Sequence, residues 1–255
     1  VHSHLCAGHH SKRRTSAQSE RKTIVSTNIF ICGVGGQGIG LMGDVLCQTL
    51  VDAGKHIMAT ETHGVAQRGG IVTTHIRVGP AVRTPKIGPG EAAYVFSLER
   101  LEGARFAELM LREHGHLVYY DTVVQPQTTR AGDASYPTNA DVDAMCLRYQ
   151  FDVDRIRLPN LQSPTMQNVA LLGCIAALRI VDGVTPESVR NTITRLLPDK
   201  IRDINLAVFD RAVAYQPNGS GADIQKGELL NGNGQEHNPH PSSGALRRFP
   251  IIAGA

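Results

Sequence analysis

Residues 61–70 carry the side chains in this sequence that are best suited to chemistry. The segment is Glu-Thr-His-Gly-Val-Ala-Gln-Arg-Gly-Gly and has neither a helical nor a strand period. An acid, an imidazole, an amide and a guanidinium stand among its glycines: Glu61, His63, Gln67, Arg68, Gly69 and Gly70. A guanidinium can hold a carboxylate or a phosphate through two parallel hydrogen bonds. The composition therefore indicates a binding loop on a scaffold. The alternative is an internal Glu61–Arg68 ion pair with glycines that only make turns.

A glycine-rich turn at residues 33–38 is the second candidate. An apolar run ends in Gly33-Val34-Gly35-Gly36-Gln37-Gly38, and the sequence then becomes helical. The first, third and sixth of these residues match G-x-G-x-x-G, a pattern that places backbone N–H groups and a helix N-terminus against a phosphate. Glu61, after the second apolar run, stands where a ribose-binding acid is often found. One interpretation is an NAD(P)-dependent dehydrogenase, although no persuasive catalytic acid or base accompanies the pattern. The other is a turn that only packs a helix on a strand.

Other catalytic and metal-binding motifs are absent from the sequence. It contains no G-x-x-x-x-G-K-[ST] phosphate loop, no G-x-S-x-G elbow and no H-E-x-x-H. The five cysteines have no zinc or cluster spacing: Cys6, Cys32, Cys47, Cys146 and Cys174. An odd, unpatterned set of cysteines favours a reducing compartment, the cytoplasm. We therefore predict that this chain binds no metal and no iron–sulfur cluster of its own, and we assign no catalytic residue.

Composition divides the chain into three parts. Residues 1–22 are polar and rich in histidine, and hold the basic clusters at 12–14 and 21–22, which predicts a disordered leader. Residues 217–255 are rich in Gly, Asn, Pro, His and Ser, which is typical of a low-complexity tail. No basic stripe indicates nucleic-acid binding, and no run approaches the roughly 18 apolar residues of a membrane span. Residues 23–216 remain as one domain.

The pattern of the central domain predicts an α/β fold. Apolar, strand-like segments alternate with amphipathic helices, which is typical of a Rossmann-like, doubly wound, mostly parallel sheet with helices on both faces. Helices are expected over 99–113 and 139–149, and a short hairpin around Val82 and Ile87. The turn and the loop should both leave the carboxyl ends of parallel strands, where open α/β sheets bind ligands.

Taken together, the turn and the loop resemble a known family. The segments GVGGQG (33–38), ETHGVAQRGG (61–70), THIRVG (74–79) and NVALLG (168–173) are similar to the gamma-type domain of 2-oxoacid:ferredoxin oxidoreductases. The nearest likeness is to the beta subunit of the indolepyruvate enzymes. The resemblance spans residues 29–215 and leaves the leader and the tail unexplained. It makes the G-x-G-x-x-G spacing a coincidence, with Gly36-Gln37 as the family's own signature.

The resemblance implies a role within a complex. Such enzymes oxidatively decarboxylate a 2-oxoacid, here of the arylpyruvate or indolepyruvate type, reduce ferredoxin and usually release an acyl-CoA. It implies that thiamine diphosphate, Mg²⁺ and 4Fe-4S clusters lie in a larger partner subunit, that coenzyme A is a co-substrate, and that this chain alone is inactive. It further implies backbone contacts from residues 35–38 to a phosphate or to the partner, and places Glu61, His63, Gln67 and Arg68 toward the thiamine-bearing subunit. A stand-alone NAD(P)-binding dehydrogenase and a non-enzymatic assembly module stay open as alternatives.

Overall fold

The computed structural model describes residues 26–63, 70–124 and 136–215. The predicted leader and tail lie outside these ranges, so their bounds stay predictions. Of the predicted site residues, Gln67, Arg68 and Gly69 also lie outside the described residues, and only the backbone of His63 is described.

A six-stranded sheet forms the centre of the domain. Its strands are β1 (Thr27–Val34), β2 (Ile57–His63), β3 (Ile71–Val78), β4 (Ala92–Ser97), β5 (Leu111–Tyr120) and β6 (Asp152–Ile156). Their order across the sheet is β2-β3-β1-β4-β5-β6. The pairs β1–β4, β4–β5 and β5–β6 are parallel. In contrast, β3 is antiparallel to both of its neighbours, β1 and β2. The predicted mostly parallel sheet is confirmed, and it holds one antiparallel strand near an edge.

Helices cover both faces of this sheet. They are α1 (Ile39–Asp52), α2 (Arg100–Met110), α3 (Asn139–Tyr149), α4 (Gln167–Leu178), α5 (Pro186–Leu196) and α6 (Asp199–Val213). In β1, Ile29 and Ile31 belong to the core formed with α1, α4, α5 and α6, whereas Phe30 and Cys32 belong to the core formed with α2 and α3. Successive side chains of a strand point to opposite faces, so a strand covered on both faces is apolar throughout. Every helix in the described ranges is too short or too polar to span a bilayer.

Local predictions hold for some helices and not for others. The helix predicted over 139–149 is confirmed, and a capping box between Thr138 and Asp141 fixes its start. The helix predicted over 99–113 is wrong at its C-terminal end: it stops at Met110 because Leu111 already pairs with Ala92 in the sheet. The hairpin predicted around Val82 and Ile87 is also wrong. Both side chains are buried, but the described segment 79–91 contains no strand.

Thr74 in β3 offers a test of the packing between the sheet and α1. Its hydroxyl is buried and has no hydrogen-bond partner among the described residues. A buried hydroxyl without a partner costs about 1–3 kcal/mol, so Thr74→Val should raise the free energy of unfolding by about 1 kcal/mol in urea denaturation. Thr49→Val is the matched control, because Thr49 is equally buried but donates to Thr192 Oγ1 at 3.0 Å. If Thr74→Val lost as much stability as Thr49→Val, the conclusion that the Thr74 hydroxyl has no hydrogen-bond partner would be contradicted.

Candidate functional site

The residues after β1 form a tight turn that ends at the N-terminus of α1. Gly33 is not part of this turn: it is buried within β1, opposite Val72 of β3. Gly36 and Gly38 have left-handed backbone angles, with φ of 100° and 80°, a conformation that glycine adopts without a steric penalty. In a dinucleotide fingerprint the first glycine makes the tight turn. Gly33 therefore does not have the role that the fingerprint gives to its first glycine.

The Gln37 side chain holds the turn from within. Its Oε1 accepts a hydrogen bond from the Val34 N–H at 2.8 Å, and its Nε2 donates to the Leu98 carbonyl at 2.7 Å. Leu98 directly follows β4, so this buried amide bridges the carboxyl ends of β1 and β4. The strand order reverses between these two strands, and open α/β sheets usually bind ligands in the crevice at that point. In this protein the Gln37 amide occupies the crevice.

Asn168, at the start of α4, holds the other end of the turn. Its Nδ2 donates to the Gly38 carbonyl at 3.1 Å. The contact is close, because a methyl group on Gly38 would lie 2.3 Å from that nitrogen. In the sequence Asn168 stands out only as part of the NVALLG segment (168–173), and nothing there places it beside the turn. The signal that could have done so was a polar amide inside an otherwise apolar helix.

The segment 61–70 begins and ends beside the turn. The Gly35 N–H donates to the Gly70 carbonyl at 2.8 Å, immediately before β3 begins. Glu61 and His63 lie within β2, where they pair with Thr74 and Val72. The predicted loop is therefore partly strand, and β2 and β3 form a hairpin whose connection at 64–69 lies outside the described residues. The prediction that both segments leave one edge of the sheet agrees with this hydrogen bond.

The Glu61 carboxylate lies over the first turn of α1. A methyl group on Gly40 would lie 3.2 Å from its Oε1. The first N–H groups of a helix have no acceptor within the helix, and they favour a nearby negative charge. The N-cap residue of α1 is Gly38, which has no side chain to cap the helix itself. We call residues 35–38 together with Glu61, Gly70 and Asn168 the glycine-turn site.

Glu99, two residues after β4, is a buried acid at the N-cap of α2 that no sequence motif indicates. Its Oε2 accepts from the Glu102 N–H at 2.8 Å, which caps α2, and its Oε1 accepts from the Val124 N–H at 3.4 Å. Burial, with a smaller contribution from the Glu102 charge, raises the pKa of Glu99 to about 8 despite these N–H donors. Glu99 is thus mostly protonated at neutral pH, and it acts as a neutral cap.

The raised pKa of Glu99 predicts that the protein loses stability as the pH rises from about 5 to about 8. In this window an unfolded glutamate, with its ordinary pKa of 4.5, is ionised, whereas the folded one keeps its proton. The unfolded state then binds fewer protons, so the free energy of unfolding falls by up to about 1.4 kcal/mol per pH unit. Glu99→Gln cannot ionise and should lack this part of the slope in urea denaturation at several pH values. Glu187→Gln, at an exposed position of α5, is the control. Equal slopes for Glu99→Gln and wild type would contradict the prediction.

The cysteines of the described residues do not fit an iron–sulfur cluster. Cys32, Cys47, Cys146 and Cys174 are all free thiols. Burial raises the pKa of Cys47 to about 11 and those of Cys146 and Cys174 to about 12, and raises that of Cys32 further still. Cluster ligation requires several converging thiolates. Within the described ranges, moreover, no group of three or more His, Cys, Asp or Glu residues could hold a metal ion.

Comparisons with known proteins agree with this fold. The chain is 29% identical to indolepyruvate oxidoreductase subunit IorB of Archaeoglobus fulgidus over 199 residues, which are 74% of this chain and 97% of that protein. It shares its fold with pyruvate oxidoreductase subunit PORC of Thermotoga maritima, with a TM-score of 0.54 at 18% identity over 73% of this chain and 94% of that one. It also shares its fold with 2-oxoglutarate:ferredoxin oxidoreductase of Magnetococcus marinus, solved with 2-oxoglutarate, coenzyme A and succinyl-CoA bound. There the TM-score is 0.50 at 13% identity, over 74% of this chain and 30% of that one. Residues 28–215 match the pyruvate ferredoxin/flavodoxin oxidoreductase family, and the chain belongs to that family.

Proposed function

We propose that this chain serves a thiamine-diphosphate-dependent 2-oxoacid:ferredoxin oxidoreductase as its gamma-type subunit, with an arylpyruvate such as indolepyruvate as substrate. Family membership supplies the class of reaction, and the name of the Archaeoglobus fulgidus relative supports the substrate class. The proposal depends most on the hydrogen bond between Gly35 and Gly70, which joins the two segments typical of the family into one surface. Thiamine diphosphate, Mg²⁺ and 4Fe-4S clusters then belong to a larger partner subunit, through which ferredoxin or another acceptor is reduced.

In this proposal the glycine-turn site binds and orients groups at the interface with the partner. Gln37 and Asn168 hold the turn rigid, so its backbone N–H groups and the N-terminus of α1 keep one orientation. A helix N-terminus favours an anion, and we propose a phosphate of coenzyme A or a carboxylate of the partner. Because the Gln37 amide occupies the crevice between β1 and β4, contacts at the protein surface are favoured, and binding of a dinucleotide within the crevice is not. The proposed domain spans 23–216, and the proposed compartment is the cytoplasm.

We propose that Arg68 contacts substrate or co-substrate, and that Gln67 and His63 contribute to the same contact. In the reconstituted complex, Arg68→Ala should lower kcat/KM for the 2-oxoacid by about 10- to 100-fold, because a hydrogen bond to a charged group contributes about 1.5–3 kcal/mol. Arg68→Lys keeps the positive charge but cannot form two parallel hydrogen bonds. Its kcat/KM should therefore lie between those of wild type and Arg68→Ala. The control is Arg190→Ala, whose exposed guanidinium pairs with Asp210. Normal assembly with full turnover in Arg68→Ala would favour the assembly-module alternative.

The isolated chain tests the division of labour between the subunits. Without a partner it should oxidise no 2-oxoacid, because the thiamine chemistry is proposed to lie elsewhere. It should also show no calorimetric signal with NAD⁺ or NADP⁺. Robust 2-oxoacid oxidation by the cofactor-free chain would overturn the proposed division, and tight binding of either dinucleotide would favour the dehydrogenase alternative.

A further inference from the structure

A cavity of about 490 Å³ lies beyond the carboxyl ends of β5 and β6. Its volume falls within the range of small-molecule sites. It is lined by Tyr120 and Asp121 at the end of β5, by residues 157–161 after β6, and by Pro164 and Gln167 at the start of α4. None of these residues belongs to the glycine-turn site, although Gln167 precedes Asn168 in the chain. The cavity is therefore a separate feature of the same edge of the sheet.

Charges of both signs lie at the cavity: Asp121 and Arg157 line it, and Arg211 donates to the carbonyl of the lining residue Pro159 at 2.7 Å. Asp121 is buried and is already neutralised by Arg100, whose Nε donates to its Oδ1 at 2.8 Å, while Asn139 donates to its Oδ2 at 3.1 Å. Arg157 lies farther away, with Nη1 3.4 Å from the Asp121 carbonyl and 4.0 Å from Oδ2. Its side chain is 72% exposed and has no other acceptor in the described part of the chain. A guanidinium has five N–H donors, so Arg157 is anchored at one nitrogen and keeps donors for a ligand.

The rest of the lining combines apolar surface with unused amides. Leu158, Pro159, Leu161 and Pro164 supply the apolar part. The Tyr120 hydroxyl donates to the Leu158 carbonyl at 3.0 Å, so this polar pair is satisfied within the protein. The side-chain amides of Asn160 and Gln167 make no hydrogen bond to another described residue. Polar and apolar surface contribute about equally to this lining, which suits a ligand that combines an anionic group with a small apolar body.

We propose that this cavity binds a small organic anion, with Arg157 holding its carboxylate or phosphate and the apolar lining covering a flat, ring-sized body. The anionic group can belong to an arylpyruvate or to a nucleoside monophosphate, since both combine such a group with a ring. Anion binding in this cavity is independent of the proposed function, which supplies only the arylpyruvate as one of the two candidate ligands.

Isothermal titration calorimetry on the full chain tests the proposal. Phenylpyruvate and AMP serve as the carboxylate and phosphate probes, and acetate and inorganic phosphate as the same anionic groups without the apolar body. At least one of the larger probes should bind saturably, and at least tenfold more tightly than its small counterpart. Binding of phenylpyruvate alone would show that the ligand is a carboxylate, and binding of AMP alone would show that it is a phosphate.

Variants identify the residues responsible. Arg157→Ala should weaken binding of the larger probe by at least tenfold, Arg157→Lys by less, and Leu161→Ala should weaken the larger probe but not the small anion. Arg157 is exposed, so its variants should unfold at the wild-type temperature, and Arg190→Ala should bind like wild type. The proposal is overturned if neither larger probe binds, if Arg157→Ala binds as tightly as wild type, or if the small anions bind as tightly as the larger probes.

Discussion

Replacing Gln37 by alanine is expected to lower the free energy of unfolding by about 3 kcal/mol, a large fraction of the roughly 5–15 kcal/mol that holds a typical domain together. The loss has a simple physical origin. Without the amide, the buried Val34 N–H and Leu98 carbonyl both lose their hydrogen-bond partner, and each such group costs about 1–3 kcal/mol. Urea denaturation followed by circular dichroism measures the effect.

Two further variants make this prediction specific. Gln48→Ala removes a half-buried glutamine whose exposed hydrogen bond to Asp52 is 2.9 Å long, and changes near the surface usually shift stability by about 0.5 kcal/mol or less. Gln37→Glu keeps the acceptor for Val34 but places a second carboxylate oxygen against the Leu98 carbonyl. It should therefore be destabilised at neutral pH and partly recovered at acidic pH, where a protonated carboxyl can donate to Leu98. Near wild-type stability of Gln37→Ala would show that the amide does not hold the turn.

The second large effect is expected for Gly38→Ala, which should lose about 3 kcal/mol of stability. The new methyl group would lie 2.3 Å from Asn168 Nδ2, so the start of α4 has to move. The left-handed backbone at Gly38 adds about 1–2 kcal/mol for any residue with a Cβ. Because the same residue positions the proposed interface, the reconstituted complex should also assemble poorly, as size-exclusion chromatography can measure.

Gly36→Ala is the matched control for this prediction. Gly36 is also left-handed, with φ of 100°, but a methyl group there meets nothing within 4 Å. Gly36→Ala should cost only the roughly 1–2 kcal/mol of the left-handed backbone, so the difference in stability between the two variants isolates the contact with Asn168. Adding Asn168→Ala to Gly38→Ala removes the clash, and the two changes should therefore be less than additive. Equal losses for Gly36→Ala and Gly38→Ala would contradict the role of Asn168.

The sheet and its two helical layers could be predicted because burial on both faces leaves a direct trace in the sequence. In β1, Ile29 and Phe30 lie in different cores, and the central residues 29–32 of the strand are accordingly all apolar. The direction of a strand leaves no such trace: β3 is rich in β-branched residues whether it runs parallel or antiparallel. The helix predicted over 99–113 was too long for a related reason, since pairing of Leu111 with Ala92 overrides local helical preference.

The candidate site was predictable in location but not in its internal contacts. The glycines of the turn and the unusual composition of residues 61–70 indicated both segments, and the hydrogen bond between Gly35 and Gly70 brings them together. The Gln37 contacts could not be foreseen, because its partner Leu98 lies 61 residues away in the chain. The special character of Glu99 also depends on tertiary structure. In the sequence it is an ordinary helix-capping acid, and only its burial in the folded protein distinguishes it.

Affinity purification of this chain from its native host, followed by mass spectrometry, cofactor analysis and a 2-oxoacid assay, tests the proposed role most directly. We predict that a larger subunit co-purifies in fixed stoichiometry, that thiamine diphosphate and iron–sulfur clusters accompany it, and that the complex reduces ferredoxin with indolepyruvate or another 2-oxoacid. The account is contradicted if the chain is recovered without such a partner while the host's 2-oxoacid:ferredoxin oxidoreductase activity elutes elsewhere.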